Sequence, residues 1–285
     1  MQYMNDISKT LFITDLDGTL LNSNGVVSEQ STHIINELIA RHGLNFAIAT
    51  ARSPATAMPL LGDIDLRLPS VVLAGAALWD AQLETYTHTW PIDESIITEI
   101  CQIYERHGAH PFIYRQSGAQ LQAHHLSCIS PREAEFMKSR TGTHYKDFIL
   151  DDKPYEPSPC PALIVFSTDR YTVMEEIYHD IAARGIDCHP ICYCDIYAPG
   201  YGYLEIYGSH VSKAAAIATL ADEYGFEQIV AFGDNANDME MMEMADYSVA
   251  PSNALVKVKR IASEVVGCND DDCVAWWLAH NVAQY

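Results

Sequence analysis

Asp15-Leu16-Asp17-Gly18-Thr19 sets two carboxylates two residues apart, at the point where the apolar run TLFIT (10–14) stops. Once a chain leaves a strand and turns, carboxylates at that spacing can face one ligand, and Gly18 permits the turn. One of the two can then attack a phosphorus atom, while the other protonates the leaving oxygen and later deprotonates water. The plainer alternative is an Asp-rich turn that closes a strand. The strand-end position weighs against it, because open parallel sheets bind ligands beyond the carboxyl ends of their strands.

A second acidic turn, Gly233-Asp234-Asn235-Ala236-Asn237-Asp238, follows the apolar run QIVAF and precedes a helical stretch. Its acids alone would serve as a helix cap and a turn. Two acidic turns at strand ends of one sheet point instead to a metal site, and hard oxygen donors suit Mg²⁺, which takes one or two protein carboxylates and fills its shell with water and phosphate. Thr50 ends the run NFAIAT, with Arg52 two residues later; a hydroxyl and backbone N–H groups there can hold phosphoryl oxygens. Lys213 opens the run KAAAIATLADEYG, where a cation beside a helix N-terminus attracts anions. Taken singly, Thr50 and Lys213 are unremarkable, most lysines being solvated.

The runs at 10–14, NFAIAT and SVVLAGAALW alternate with a helical pattern from Ser28 to Gly43 and a helix start at Ser53-Pro54. Continuous apolar strands separated by helices predict an α/β fold with a doubly wound parallel sheet. From residue 84 to 208 the rhythm changes to short alternating strands (TYTHTW, HPFIYRQ, AQLQAHHL) with helical stretches at 93–107, 131–141 and 169–185. This predicts an inserted α+β domain whose antiparallel sheet carries helices on one side. The segment 151–161, with four of the 13 prolines, reads as a loop within the insert. After 208 the first rhythm returns, so residues 1–83 and 209–285 are expected to form one core interrupted by the insert 84–208. Trp276-Trp277 reads as the core anchor of a last helix.

Seventeen Lys and Arg against 38 Asp and Glu leave a net charge of -21, a field that repels nucleic acid and anionic lipid and argues against both as partners. It also repels phosphate esters, so an enzyme for them needs a metal ion and a well-placed Lys or Arg. MQYMNDISKT has neither a basic nor an apolar leader region, and no stretch of 18 apolar residues occurs; a soluble, cytoplasmic protein is expected. The eight cysteines are then expected to be reduced thiols. Cys188, Cys192 and Cys194 lack paired metal-ligand spacing and lie in a strand-like alternation, which favours packing.

Four elements in order, DLDGTL (15–20), Thr50 in AIATAR, Lys213 in LEIYGSHVSK and GDNANDMEM (233–241), resemble the four motifs of the haloacid dehalogenase superfamily. The insert resembles the C2 cap of its Cof-like, type IIB branch, and ADYSVAPSNALVKVKRIAS resembles that branch's C-terminal signature. The resemblance implies a Rossmann-like core and a phosphatase acting through an aspartyl phosphate. It further implies Asp15 as nucleophile, Asp17 as general acid/base, and Thr50, Lys213, Asn237 and the backbone N–H groups of Leu16 and Ala51 as phosphate ligands. Mg²⁺ would be held by Asp15, Asp234 and the Asp17 carbonyl, supported by Asp238. The implied partner is a small phosphorylated metabolite, sugar phosphates first, with the cap as a lid that selects the leaving group.

The chain departs from the branch at Ala51 (usually Gly), Ala74 (usually Asn) and Pro251-Ser252 (usually Met-Gly). None of these removes a carboxylate, but they weaken substrate inference. A phosphomutase or phosphotransferase of the same superfamily, and a silent metabolite-binding protein, are the alternatives. Tyr114, His124, His189, Tyr193 and Tyr197 of the insert could contact a sugar or an aromatic leaving group, with ordinary strand packing or surface the favoured reading for most of them.

Overall fold

The computed structural model describes residues 6–127, 130–153, 155–195 and 198–282. Two compact units emerge: Met1–His88 with Ser212–Tyr285, and Thr89–Val211.

The first unit opens with β1 (Thr10–Thr14), then α1 (Glu29–His42), β2 (Asn45–Ile48) and the one-turn α2 (Pro54–Ala57). Local chemistry sets these limits. Ser28 caps α1 by accepting the Ser31 N–H, and Gly43 ends it at φ 66°, where a residue without Cβ is least strained. The run SVVLAGAALW, expected as one strand, is instead a hairpin of β3 (Ser70–Val72) and β4 (Ala77–Asp80) paired antiparallel. Between them Leu73, Ala74 and Gly75 all take left-handed conformations, at φ 54°, 55° and 103°. For the two non-glycines this costs about 1–2 kcal/mol each. Both arms are buried, so an unbroken apolar run carried no sign of the reversal. The next strand, β5 (Thr85–Thr89), joins this ribbon, although TYTHTW was expected in the insert.

The second unit runs α3 (Glu94–Arg106), β6 (Phe112–Ser117), β7 (Gln120–His125), α4 (Pro131–Lys138), β8 (Lys146–Leu150), β9 (Ala162–Arg170), α5 (Tyr171–Arg184), β10 (Cys188–Cys194) and β11 (Tyr201–Gly208). Its sheet has the order β10-β11-β9-β6-β7-β8. One face packs Ile113, Val165, Leu204 and Ile206 against Ile97, Ile100 and Ile177 of α3 and α5.

Two expectations for this sheet fail. β7 and β8 pair parallel, because α4 crosses between them. Side chains alternate across a strand, so Phe136 of α4, which meets Phe112 and Phe166, covers the face opposite α3 and α5. Cys188 and Cys192 pack partly against the α3/α5 cluster, and burial pushes both thiols up to about 11, which suits packing and not metal ligation.

The chain returns through α6 (Lys213–Tyr224), β12 (Gln228–Phe232), α7 (Met239–Met244), β13 (Tyr247–Ala250), α8 (Val256–Ile261), β14 (Glu264–Val265) and α9 (Cys273–Val282). The core sheet, β14-β13-β12-β1-β2, is wholly parallel. Phe12, Phe46, Ile48, Val230 and Phe232 share one cluster with Ile35 and Leu38 of α1 and Leu278 of α9. Trp277 joins it, its indole donating to Glu264 at 2.8 Å. Trp276 is 46% exposed, so only half of the expected tryptophan anchor is in the core. Among the described residues no helix is long and apolar enough to cross a membrane.

On the α4 face of the second unit, the Lys146 ammonium lies 4.3 Å from the Tyr114 ring centroid and 5.2 Å from that of Phe148, and donates to the Tyr114 hydroxyl at 3.1 Å. Burial, with repulsion from Arg140, pushes its pKa down to about 7 from 10.5. Between those values the unfolded chain keeps a proton that the folded one has lost, so this group makes stability rise with pH there, and its full cost is present below pH 7. Lys146→Met is therefore expected to stabilise the protein in urea unfolding at pH 6.5, a gain that shrinks by about 1 kcal/mol or more at pH 10.

Candidate active site

β1 delivers Asp15 to the carboxyl edge of the core sheet, where its N–H donates to the Phe232 carbonyl at 2.9 Å. Ser212 caps α6 through the Ala215 N–H, and this fixes Lys213 as the first helical residue. The Lys213 Nζ donates to Asp15 Oδ1 at 2.6 Å and to Asp238 Oδ1 at 2.7 Å, all three side chains being buried. Asp238 Oδ2 accepts the N–H groups of Asp234 and Asn235 at 3.0 and 2.9 Å. That carboxylate therefore closes the turn after β12 and anchors the lysine at the same time.

Asp234 is held from the DLDGT turn. Thr19 Oγ1 donates to its Oδ1 at 2.8 Å, and Gly18, at φ 79°, comes so close that a Cβ there would lie 2.5 Å from Asp234 Oδ2. The Asn253 amide donates to the Gly18 carbonyl at 2.8 Å. Sequence reasoning missed Thr19 and Asn253 as supports, although both lie within segments it singled out.

Carboxylate oxygens of Asp15, Asp234 and Asp238 lie within 4.8 Å of one another. Against them stands one ammonium, so with all three ionised two negative charges are uncompensated. Burial pushes the Asp15 carboxyl up to about 8 against the pull of Lys213, with Asp238 and Asp234 adding to the rise. Burial likewise carries Asp234 to about 6. Asp15 and Asp238 hold Lys213 firmly protonated despite its burial. A surplus of negative charge on oxygen donors alone fits a hard divalent cation. Asp238, its oxygens committed to Lys213 and two N–H groups, is placed to support such an ion, whereas Asp15 and Asp234 offer oxygens to it.

Asp17 lies outside this cluster. Its half-exposed carboxylate accepts two hydrogen bonds from Arg52, at 2.7 Å from Nε and 2.6 Å from Nη2, the bidentate geometry that guanidinium favours. Sequence reasoning noted Arg52 but gave it no such role. Thr50, 1% exposed, accepts the Arg52 N–H on its hydroxyl at 3.1 Å and donates its own N–H to the Val71 carbonyl at 2.9 Å. Of the remaining candidates, Leu16 is buried, while Ala51 and Asn237 are exposed.

In the second unit, His124 Nδ1 lies 3.1 Å from Asp151, His189 Nδ1 lies 3.1 Å from the Val211 carbonyl, and Tyr193 donates to Glu205 at 2.9 Å. With Tyr114 bonded to Lys146, these four side chains have partners inside their own unit. Tyr197 lies outside the described residues.

A family model for haloacid dehalogenase-like hydrolases matches residues 12–278. A 5-amino-6-(5-phospho-D-ribitylamino)uracil phosphatase of Bacillus subtilis is 26% identical over 94% of this chain and 96% of its own. An HMP-PP phosphatase of Serratia proteamaculans is 23% identical over 93% of each chain. A crystal structure from Thermotoga maritima superposes with a TM-score of 0.75 at 23% identity, covering 95% of this chain and 96% of its own.

Lys213→Met would leave two buried carboxylates without their cation. Removing one partner of a buried ion pair costs about 3–5 kcal/mol; urea unfolding of the metal-free variant at neutral pH is expected to show a loss of that order.

Proposed function

The chain belongs to the haloacid dehalogenase-like hydrolases, and from that premise we propose that it is a Mg²⁺-dependent phosphatase of small phosphorylated metabolites, acting through an aspartyl phosphate on Asp15. It is an enzyme of phosphatase type, as are similar proteins that match it over nearly their whole length. The observation that carries the reading is the buried Asp15 carboxylate held 2.6 Å from Lys213 at the end of β1, with Asp234 and Asp238 beside it.

Asp15 attacks phosphorus, and the bond from phosphorus to the leaving oxygen breaks as Asp17 supplies that oxygen with a proton. Before this step Asp17 leaves Arg52 and takes up a proton from solvent, so that it meets the leaving group as a carboxylic acid. It then takes a proton from water, whose oxygen displaces Asp15 and releases inorganic phosphate. Lys213 neutralises charge on the transferring group, while Thr50, Asn237 and the N–H groups of Leu16 and Ala51 orient it. Asp15, Asp234 and the Asp17 carbonyl would hold Mg²⁺, which, when bound, supplies further neutralisation of the phosphoryl oxygens.

Sugar and polyol phosphates are the first substrates to test. The similar Bacillus subtilis enzyme is named for a phosphoribitylamino compound, and the Tyr- and His-rich insert suits hydroxylated ligands.

Phosphate release from a panel of phosphorylated metabolites tests the reading. Asp15→Asn is expected to lose activity by about 10³-fold or more with its fold intact, and Asp17→Asn to be severely impaired. Wild-type turnover by Asp15→Asn would end the proposal. Separately, metal stripping with EDTA is expected to abolish activity, Mg²⁺ to restore it, and Ca²⁺, with its looser shell, to inhibit; full activity after stripping would remove the metal from the scheme.

A further inference from the structure

The strained turn Leu73-Ala74-Gly75 touches two segments that the proposed function uses, and none of its side chains is needed for the chemistry. On one side the Leu73 N–H donates to the Arg52 carbonyl at 3.0 Å and the Ala74 N–H to the Thr50 carbonyl at 3.1 Å. Both ends of Thr50-Ala51-Arg52 are thereby pinned by backbone. On the other side Gly75, at φ 103°, lies against the start of α6. A Cβ at Gly75 would be 2.2 Å from the Ser212 carbonyl oxygen and 2.9 Å from the Lys213 backbone nitrogen. No side chain fits at that distance without moving backbone, and the backbone it would move is the cap and first residue of the helix carrying Lys213.

We infer that Leu73-Ala74-Gly75 is a positioning clamp that sets Lys213 against the Thr50 loop, with Gly75 as the residue the spacing depends on. The turn reverses the chain between β3 and β4, a task that two-residue turns perform with less strain. Strain persists where the surroundings over-determine it, and here the surroundings are the two phosphate-ligand segments. Lys213 meets Asp15 at 2.6 Å and Asp238 at 2.7 Å, so a displacement of about 1 Å at Ser212, the size a Cβ at Gly75 would force, is transmitted to a charged contact with no slack.

This inference rests on the phosphatase reading, and Asp15→Asn, assayed alongside, separates the two. In Gly75→Ala, kcat for p-nitrophenyl phosphate is expected to fall by about 10²-fold, the size expected of a misplacement near 1 Å. Inhibition by orthovanadate should weaken by about tenfold, while the circular dichroism spectrum is unchanged. If Gly75→Ala fails to fold, hydrogen exchange on the wild-type protein decides: orthovanadate should slow exchange of the Leu73 and Ala74 amides. Normal kcat and vanadate inhibition in a folded Gly75→Ala, or turn amides indifferent to vanadate, overturn the clamp while leaving the phosphatase reading intact if Asp15→Asn is inert. An active Asp15→Asn overturns both.

Discussion

One buried ammonium holds the site together. Lys213 bridges Asp15 and Asp238, drawn from α6, the end of β1 and the turn after β12, with Lys213 and Asp15 198 positions apart. Burying three charges is expensive, and the mutual attraction repays the cost only where geometry is close and remaining polar atoms are satisfied. Asp238 meets that condition with two backbone N–H groups. Asp15 does not, and its raised pKa records the deficit. The chain is folded around an electrostatic imbalance that a proton or a cation can relieve.

That imbalance bears on how a protein of charge -21 can take an anionic substrate. The long-range field opposes phosphate, so attraction has to come from charges within a few ångströms. In the proposed scheme that part falls to Lys213 and Arg52, each already engaged by carboxylates: Lys213 by Asp15 and Asp238, Arg52 by Asp17. Binding a phosphate ester under the proposed scheme is then an exchange of partners among preplaced charges, which avoids the reorganisation that solvent would require.

Close approaches of the backbone frame these charges alongside the side-chain contacts. Gly18 comes against Asp234, and Gly75 against Ser212 and Lys213, at distances where no Cβ could stand. Both are close approaches between segments distant in sequence. In the second unit side chains surround the buried polar groups, with aromatic rings from β6, β8 and α4 enclosing Lys146 and tyrosine hydroxyls of β10 and β11 bonded to Glu205.

The sequence by itself determined what local chemistry can determine. The limits of α1 follow from Ser28 and Gly43, the extents of β1 and β12 from apolar runs ending at Asp15 and Gly233, and the start of α6 at Lys213 from its run of helix formers, because capping and periodicity act over a few residues. The residue types able to bind phosphate or metal were legible for the same reason, as groups at strand ends. Which of them touch was decided only by the tertiary structure. That Lys213 joins Asp15 to Asp238, that Arg52 grips Asp17 and that β7 and β8 run parallel depend on distances between segments separated in sequence, while the reversal of SVVLAGAALW at Leu73-Ala74-Gly75 is local but leaves no mark in an unbroken apolar run. No periodicity encodes such distances; they are fixed when the sheets pair and the buried charges find the one arrangement that leaves fewest of them unpaired.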